Sequence, residues 1–236
     1  MIVNTVHTIS FSEGLHLGVK ERQEREREAV ARAILDAARD LFVAEGYQNV
    51  SIRKIADRIE YSPAAIYSYF PSKDDIFFAL AEEGFHLLFS SAQSSEDAGA
   101  DGLDAVRAPF WHLYQFSRKH SEYFALMFVD RTVPRISQNW ERFSFVGAMK
   151  GEIAARIQRA IDAGHLPKGT DTRAALRVLM AAVLGAAIMQ LCSRMESGEN
   201  PDALARDTLE AALTGLRNGS PLSVHTGSCG EPGHRQ

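Results

Sequence analysis

The chain has 236 residues, 45% of them hydrophobic and 24% charged, and carries a formal net charge of −4 at pH 7. A chain of this length can build one or two domains with a sizeable core, and its composition is that of a soluble globular protein. The charge balance excludes nucleic-acid binding through overall basicity, so any contact with DNA must depend on where a few cations lie. The two cysteines, Cys192 and Cys229, form neither a disulfide framework nor a metal-ligand pattern, which favours a reducing compartment.

Membrane proteins and the common enzyme classes are also disfavoured. No stretch reaches the ~18–20 apolar residues of a membrane span, and the first residues lack the basic and apolar regions of a signal peptide. Motifs of serine hydrolases, zinc proteases, P-loop proteins and dinucleotide-binding folds are absent, and the eight histidines lack ligand spacing. We therefore predict a cytoplasmic, non-enzymatic protein with no cofactor, no metal and no membrane association.

The first elements along the chain predict a helical N-terminal domain over residues 20–75. Residues 1–19 have no usable periodicity, and we expect them to be disordered. Residues 20–28 alternate in charge and could begin a fraying helix, whereas 29–44 repeat apolar residues at helical spacing until Gly46 ends the helix.

Two short helices joined by a tight turn follow. Ser51 can cap the first, and Ser62 with Pro63 at the first helical position can begin the second. With Ile66 at the buried centre of the second helix, the opposite and flanking positions carry only small residues and a tyrosine: Ala64, Ala65, Tyr67 and Ser68. This is the layout of a helix-turn-helix, whose second helix enters DNA, although two capped helices in an ordinary bundle would give a similar pattern.

The residues around this segment carry a family resemblance. The matching residues are Ile34-Leu35-Asp36-Ala37-Ala38, Leu41-Phe42, Glu45-Gly46-Tyr47, Ser51-Ile52-Arg53, Ile55-Ala56, Ser62, Ile66-Tyr67, Tyr69-Phe70 and Ser72-Lys73. Between Arg32 and Leu80 the sequence thereby resembles the DNA-binding domain of the TetR family of bacterial transcription regulators. One departure lies in the turn, where Glu60-Tyr61-Ser62 replaces the family's usual Gly-Val-Ser. Because glutamate adopts a left-handed backbone less readily than glycine, we expect either strain at Glu60 or a slightly different turn.

The resemblance implies which side chains meet DNA. The DNA-binding set is Ser51, Arg53, Ser62, Ala64, Ala65, Tyr67, Ser68, Tyr69 and Lys73. Phosphate contacts are implied for Ser51, Tyr67, Tyr69 and Lys73, although Tyr69 could instead pack in the core. Base-facing positions are implied for Arg53, Ala64, Ala65 and Ser68. Because only Arg53 among these can bond guanine in a bidentate manner, we expect it to dominate direct readout, with DNA shape supplying much of the rest.

Four further cations precede this set, and their role is open. They could form a minor-groove arm or lie on a solvated helix face, which the interleaved glutamates favour: Lys20, Arg22, Arg25 and Arg27.

The remaining residues, 76–217, predict a larger helical domain for ligand binding and dimerisation. A helix from 73 to about 91 leads into a polar, glycine-containing loop, after which helical periodicity returns. The later helices are predicted at 103–120, 121–130, 139–163, 170–195 and 201–217. Residues 218–236 are predicted to be a disordered tail. The fold class is therefore all-α, with a three-helix helix-turn-helix domain at its N-terminal end.

The helix predicted at 170–195 is apolar on every side between Val178 and Met189, so it has to be buried on two sides. One side can face its own core, and the other offers small residues that let a second helix come close. The resemblance implies homodimerisation through the last two long helices; a central helix in a monomer is the alternative. The predicted interface comprises Ala181, Ala182, Gly185, Met189, Leu204, Thr208, Ala211, Ala212 and Gly215.

Large aromatic and methionine side chains are concentrated between residues 110 and 149. Aromatic walls with a few polar groups are typical of ligand cavities, although such residues also form ordinary cores. The predicted pocket for an apolar or aromatic effector comprises Phe110, Trp111, Tyr114, Met127, Phe128, Trp140, Phe143, Met180 and Leu184. Polar candidates on the same helices are His112, Gln115, Arg118 and Gln190.

These features together predict a ligand-responsive, sequence-specific transcription regulator, most simply a repressor released from a palindromic operator by an apolar small molecule. A two-fold dimer would place its recognition helices about 34–36 Å apart, in successive major grooves. The alternative is a helical ligand-binding or interaction protein that does not bind DNA.

Overall fold

A computed structural model describes residues 11–93, 102–130, 132 and 144–219. Every long regular element in these ranges is a helix, and no β-strand occurs among them, which confirms the all-α fold class. The described residues up to Leu80 form one compact unit, and those from Ala81 onward form a second. The division therefore lies inside a helix, slightly beyond the boundary at residue 75 that the sequence suggested.

The first unit is built from three helices and the start of a fourth. They are α1 (Phe11–Glu45), a single 3-10 turn (Tyr47–Asn49), α2 (Ile52–Arg58), α3 (Pro63–Tyr67) and α4 (Lys73–Gln93). Ile34, Ile55, Ile66 and Phe77 have no exposed surface and form the centre of the core. Burial of each such side chain contributes about 1.5–3 kcal/mol, which holds these short helices against one another.

Helix α1 begins earlier than the sequence suggested. The sequence predicted residues 1–19 to be disordered, whereas α1 already begins at Phe11; residues 1–10 lie outside the described residues. From Val19 to Glu28 this helix is exposed and strongly charged. Oppositely charged side chains one turn apart, such as Arg22 and Glu26 at 3.6 Å, give this charged stretch local support of a few tenths of a kcal/mol each.

The second unit contains the end of α4 and the remaining helices. They are α5 (Gly102–Lys119), α6 (Ser121–Phe124) continued by a π-helical turn (Ala125–Val129), α7 (Ser144–Asp162), α8 (Thr172–Leu191) and α9 (Pro201–Arg217). Helix α8 packs against α5, α7 and α9. The bounds of α9 agree with the prediction, but α8 ends before residue 195. The helix stops because Ser193 adopts a left-handed backbone with φ 52°. A serine in the sequence indicates such a helix end less clearly than a glycine does.

Helix α4 approaches α6 closely at Gly84. A Cβ atom at this glycine would lie 2.6 Å from Met127 Sδ and 3.1 Å from Tyr123 Cβ, so a larger residue would require Met127 and Tyr123 to shift. Glycine therefore allows α4 to pack this closely against Tyr123 without such a shift.

Candidate nucleic-acid interface

The helices α2 and α3 begin with the caps that the sequence predicted. The Ser51 Oγ accepts a hydrogen bond from the Lys54 N–H at 3.2 Å, and the Ser62 Oγ accepts one from the Ala65 N–H at 3.1 Å. Pro63 occupies the first turn of α3, where its missing N–H costs nothing. Each cap satisfies a helix-end N–H that would otherwise lack a partner, so these short helices start at defined residues.

The turn between α2 and α3 depends on a left-handed glutamate. Glu60 has φ 59°, which confirms the expected strain. The Tyr61 N–H donates to the Ala56 carbonyl at 2.9 Å, and the Glu60 N–H donates to the Asp57 carbonyl at 3.5 Å. These two bonds form a Schellman motif, in which the left-handed position is usually glycine. The turn thus adopts this geometry despite a side chain that disfavours the left-handed backbone by roughly 1–2 kcal/mol.

Helix α3 turns a face of small side chains outward. Ile66 is fully buried, whereas Ala64 and Ser68 are exposed and Tyr67 keeps 54% of its surface accessible. Ala65 is half-buried. The Ser68 hydroxyl donates to the Ala65 carbonyl at 2.6 Å, so its single hydrogen atom is already used within the helix. While this bond is kept, the Ser68 hydroxyl offers a DNA base only an acceptor.

The cations of α2 differ in how far they are engaged. Lys54 donates to the Glu45 carboxylate and, at 3.0 Å, to the Asn49 carbonyl, and Arg58 lies 3.7 Å from Asp40. Arg53 is exposed and forms no hydrogen bond or ion pair with the described residues. Its five N–H donors are thus available to an external partner, as bidentate readout of guanine would require.

Lys73 has a structural role that the sequence did not reveal. Its ammonium group donates to the carbonyls of Tyr47 and Val50, each at 3.0 Å, and lies 3.9 Å from the centre of the Tyr47 ring. Burial lowers the pKa of Lys73, while the neighbouring Asp74 acts in the opposite direction. The Tyr47 hydroxyl donates to Asp74, so the start of α4 is held to the segment before α2 by two side chains. Two of the three ammonium hydrogens are used here, and the phosphate contact stays a prediction.

Tyr69 and the charged part of α1 lie near each other. Tyr69 is half-buried, and the Arg27 guanidinium carbon lies 5.8 Å from the centre of its ring. Arg27 belongs to the continuous helix α1, as do the three other cations considered for a minor-groove arm, Lys20, Arg22 and Arg25. Their positions agree with the solvated helix face rather than with a separate arm.

Comparison with known proteins agrees with this site. Residues 34–80 match the model of the bacterial regulatory proteins, tetR family. The chain is 30% identical over 175 residues to the HTH-type transcriptional repressor Rv1474c of Mycobacterium tuberculosis, covering 74% of this chain and 86% of that protein. The chain belongs to the TetR family. It is therefore a helix-turn-helix transcription regulator, and the prediction that it is not an enzyme is confirmed, because the family consists of non-enzymatic DNA-binding proteins.

Other similarities of this TetR-family chain differ in extent. It is 24% identical over 103 residues to YuxN, an uncharacterized HTH-type transcriptional regulator of Bacillus subtilis, but the match spans only 35% of that protein and 44% of this chain. The crystal structure of the TetR-family regulator PfmR from Thermus thermophilus superposes with a TM-score of 0.61 at 20% identity, covering 78% of this chain and 98% of that one. The shared fold thus extends well beyond the segment matched by the family model.

Helix α8 of this TetR-family regulator is apolar and largely uncovered. Among the described residues it is the one helix long and apolar enough to cross a membrane by length and composition, with a mean hydropathy of 1.9 and 33% of its apolar window buried. Arg173 and Arg177 interrupt the apolar stretch, so the helix meets this criterion by its mean hydropathy and not as an unbroken apolar run. The buried residues are Ala174, Ala175, Leu179, Val183, Ala186 and Ala187.

The residues predicted for the dimer interface lie on exposed or half-buried faces of α8 and α9. On α8, Ala181 and Gly185 are exposed and Met189 retains 39% of its accessible surface. On α9, Ala211 is exposed, and Leu204, Thr208, Ala212 and Gly215 are half-buried. The two helices pack against each other. We call the outward-facing residues Ala181, Ala182, Gly185, Met189, Leu204, Thr208, Ala211, Ala212 and Gly215 the α8–α9 stripe.

The predicted ligand residues are divided between core and surface. Phe110, Tyr114 and Met127 are at most 7% exposed, whereas Trp111 and Phe128 are half-buried. Met180 and Leu184 of α8 are half-buried too, and Trp140 and Phe143 lie outside the described residues. In the described structure Trp111 and Tyr114 meet at an open pocket whose other lining residues are Gln115, Arg118, Lys119, Asp202 and Arg206.

Two of those lining residues, Asp202 and Arg206, come from α9 and were missed by sequence reasoning. The Tyr114 hydroxyl donates to Asp202 at 2.8 Å, and Arg118 also donates to this carboxylate. Burial, together with the bond to Asp202, raises the pKa of Tyr114 to about 12, and the Tyr114 and Arg118 hydrogen bonds hold the pKa of Asp202 below its usual range. Neither residue carries a motif, and only packing of α9 against α5 brings them here.

Proposed function

We propose that this TetR-family regulator is a repressor that binds a palindromic operator as a homodimer in the cytoplasm and is released by a small apolar or aromatic effector. The observation that carries the proposal is the outward face of α3, capped at a defined residue and free of bulky side chains other than Tyr67. The repressor role is supported by similarity to a relative that carries that name over most of both chains.

Direct readout is assigned mainly to Arg53, the exposed cation of α2 that has no partner among the described residues. Ala64 and Ala65 can contact thymine methyl groups, and Ser68 can accept a hydrogen bond from a base. Tyr67 is exposed enough to donate its hydroxyl to a phosphate, with Ser51, Ser62, Tyr69 and Lys73 completing the contacted edge. The small number of direct donors implies that DNA shape contributes much of the specificity.

Homodimerisation is supported by the α8–α9 stripe. An apolar helix with one-third of its window buried leaves more apolar surface in water than a stable core helix does, unless a partner covers it. A Cβ atom built at Gly185 has no neighbour within 4 Å, so within one chain this glycine is not required by packing. Small residues along both helices allow a second copy to approach closely.

The effector is proposed to bind within the second unit, near the predicted set on α5, α6 and α8. The half-buried positions of Trp111, Phe128 and Met180 are compatible with a cavity wall. Phe110 and Tyr114 would support that wall from the core.

An electrophoretic shift assay on the DNA upstream of the protein's own gene tests this function, at a stated salt concentration because phosphate contacts make affinity salt-dependent. We expect a complex with one dimer per site, preference over random DNA, and more transcript from this promoter in a deletion strain. Equal shifts of operator DNA and random DNA at the same protein concentration would contradict specific binding. Less transcript in the deletion strain would contradict the repressor role.

A further inference from the structure

The pocket between α5 and α9 has the dimensions and wall of a small-molecule site. Its volume is about 470 Å³, within the roughly 300–1,000 Å³ of typical ligand sites. The ring centres of Trp111 and Tyr114 lie 5.1 Å apart with an interplanar angle of 31°. Because Trp111 is only half-buried, a ligand can reach part of this aromatic wall from solvent.

The remaining walls carry an excess of positive charge. Three cations line the pocket, Arg118, Lys119 and Arg206, against the single carboxylate of Asp202. That carboxylate is already engaged, because it accepts hydrogen bonds from both Tyr114 and Arg118. Asp202 also interacts electrostatically with Arg206, but one carboxylate cannot balance three cations, so the pocket keeps a net positive charge.

Several donors at the pocket are also unused. Within the described part of the chain, Gln115 and Lys119 are exposed and form no hydrogen bond or ion pair. The Arg206 guanidinium lies over the Trp111 ring, 4.9 Å from its centre, which leaves its N–H groups available. Unpartnered donors beside an aromatic wall favour a ligand that is both anionic and flat, since charge-assisted hydrogen bonds to a carboxylate are short and strong.

We propose that this α5–α9 pocket binds small aromatic carboxylates, with the carboxylate at Lys119 and Arg206 and the ring against Trp111. The site extends the proposed function, because it accepts an anion rather than a purely apolar effector. At 100° per residue, Arg206 lies about 160° around α9 from Thr208 of the α8–α9 stripe, so the proposed dimer leaves the pocket open. Binding requires no DNA, and its test is therefore independent of the repressor proposal.

Isothermal titration calorimetry of the full chain with 2-naphthoate and its neutral isostere 2-naphthamide tests the proposal. We expect saturable binding of 2-naphthoate and binding of the amide that is about tenfold weaker or worse, because the amide lacks the charge. Lys119→Gln and Arg206→Gln should each weaken 2-naphthoate binding several-fold. Lys168→Gln and Arg159→Gln remove the same charge at exposed positions elsewhere and should leave it unchanged.

The substitution Asp202→Asn should change the affinity for 2-naphthoate in the opposite direction. Removal of this carboxylate frees Arg118 for the ligand, so 2-naphthoate should bind several-fold more tightly, a result that general damage to the fold does not produce. Lys119→Gln is a surface change and keeps the test decisive if Asp202→Asn does not fold. Equal binding of the two naphthalenes, no saturable heat with 2-naphthoate, or equal losses in pocket and control variants would overturn the proposal.

Discussion

The outward faces of α3 and α8 are built from similar small residues but lie in different surroundings. On α3, Ala64 and Ser68 are exposed on a five-residue helix, in a unit that also exposes Arg53 and Tyr67. On α8, Ala181 and Gly185 are exposed on a twenty-residue helix with a mean hydropathy of 1.9. Small side chains permit close approach in both cases. The neighbouring groups differ. Hydrogen-bond donors lie near the outward face of α3 and suit phosphates and base edges, whereas apolar side chains surround the outward face of α8 and suit another apolar helix.

The largest expected effect comes from a negative charge on α3. Ala64→Glu should weaken operator binding by roughly a hundredfold or more, because a carboxylate facing DNA phosphates costs several kcal/mol. Sedimentation should show an unchanged oligomeric state. Ala155→Glu, at an exposed position of α7, is the control and should bind DNA normally. Normal DNA binding by Ala64→Glu would mean that α3 is not the recognition helix.

A large side chain at Gly185 tests whether the outward face of α8 forms the dimer interface. Gly185→Leu should shift the monomer–dimer equilibrium toward monomer, since overpacking costs about 1–3 kcal/mol for each copy. Within one chain the leucine meets no atom near its Cβ, and the same is true at Gly151 of α7. Gly151→Leu is therefore the matched control for sedimentation. Equal dimer dissociation constants for the two variants would exclude α8 from the interface.

Substitutions of two cations in the first unit, Lys73 and Arg53, should separate an effect on stability from an effect on the recognition of DNA sequence. Lys73→Ala should lower the free energy of unfolding by about 1–3 kcal/mol, because the Tyr47 and Val50 carbonyls lose their donor. It should also weaken operator and random DNA alike. Arg53→Ala should leave thermal unfolding unchanged and reduce only the preference for operator. Equal behaviour of the two variants in both measurements would contradict these roles.

The smallest expected effect concerns Glu60 and Ser193. In the described part of the chain these are the two residues other than glycine that have a left-handed backbone. Glu60→Gly and Ser193→Gly should each raise stability by up to about 1 kcal/mol, because glycine adopts positive φ without a steric penalty. Ala155→Gly, inside α7, should instead lose about 1 kcal/mol. Thermal unfolding of the three variants measures these differences. A loss of stability at Glu60→Gly would show that its side chain supports the turn.

Sequence reasoning succeeded where the interaction is local. The caps at Ser51 and Ser62 join residues three positions apart. The periodicity of the hydrophobic residues correctly placed the buried centre of α3 at Ile66. It did not place the start of α1, which begins at Phe11 in a segment without a clear apolar period. The set proposed for DNA contact therefore came mainly from local pattern and family resemblance.

By itself the sequence determined the all-α class, the capped helix-turn-helix and the apolar character of α8, because caps and periodicity act between residues within a few turns. The tertiary structure alone decided that Lys73 donates to the Tyr47 carbonyl, 26 residues away, and that Tyr114 meets Asp202 across 88 residues. It also decided which sides of α8 and α9 remain uncovered. Such contacts depend on how distant helices pack, and helix packing brings together side chains whose spacing along the chain carries no periodic signal.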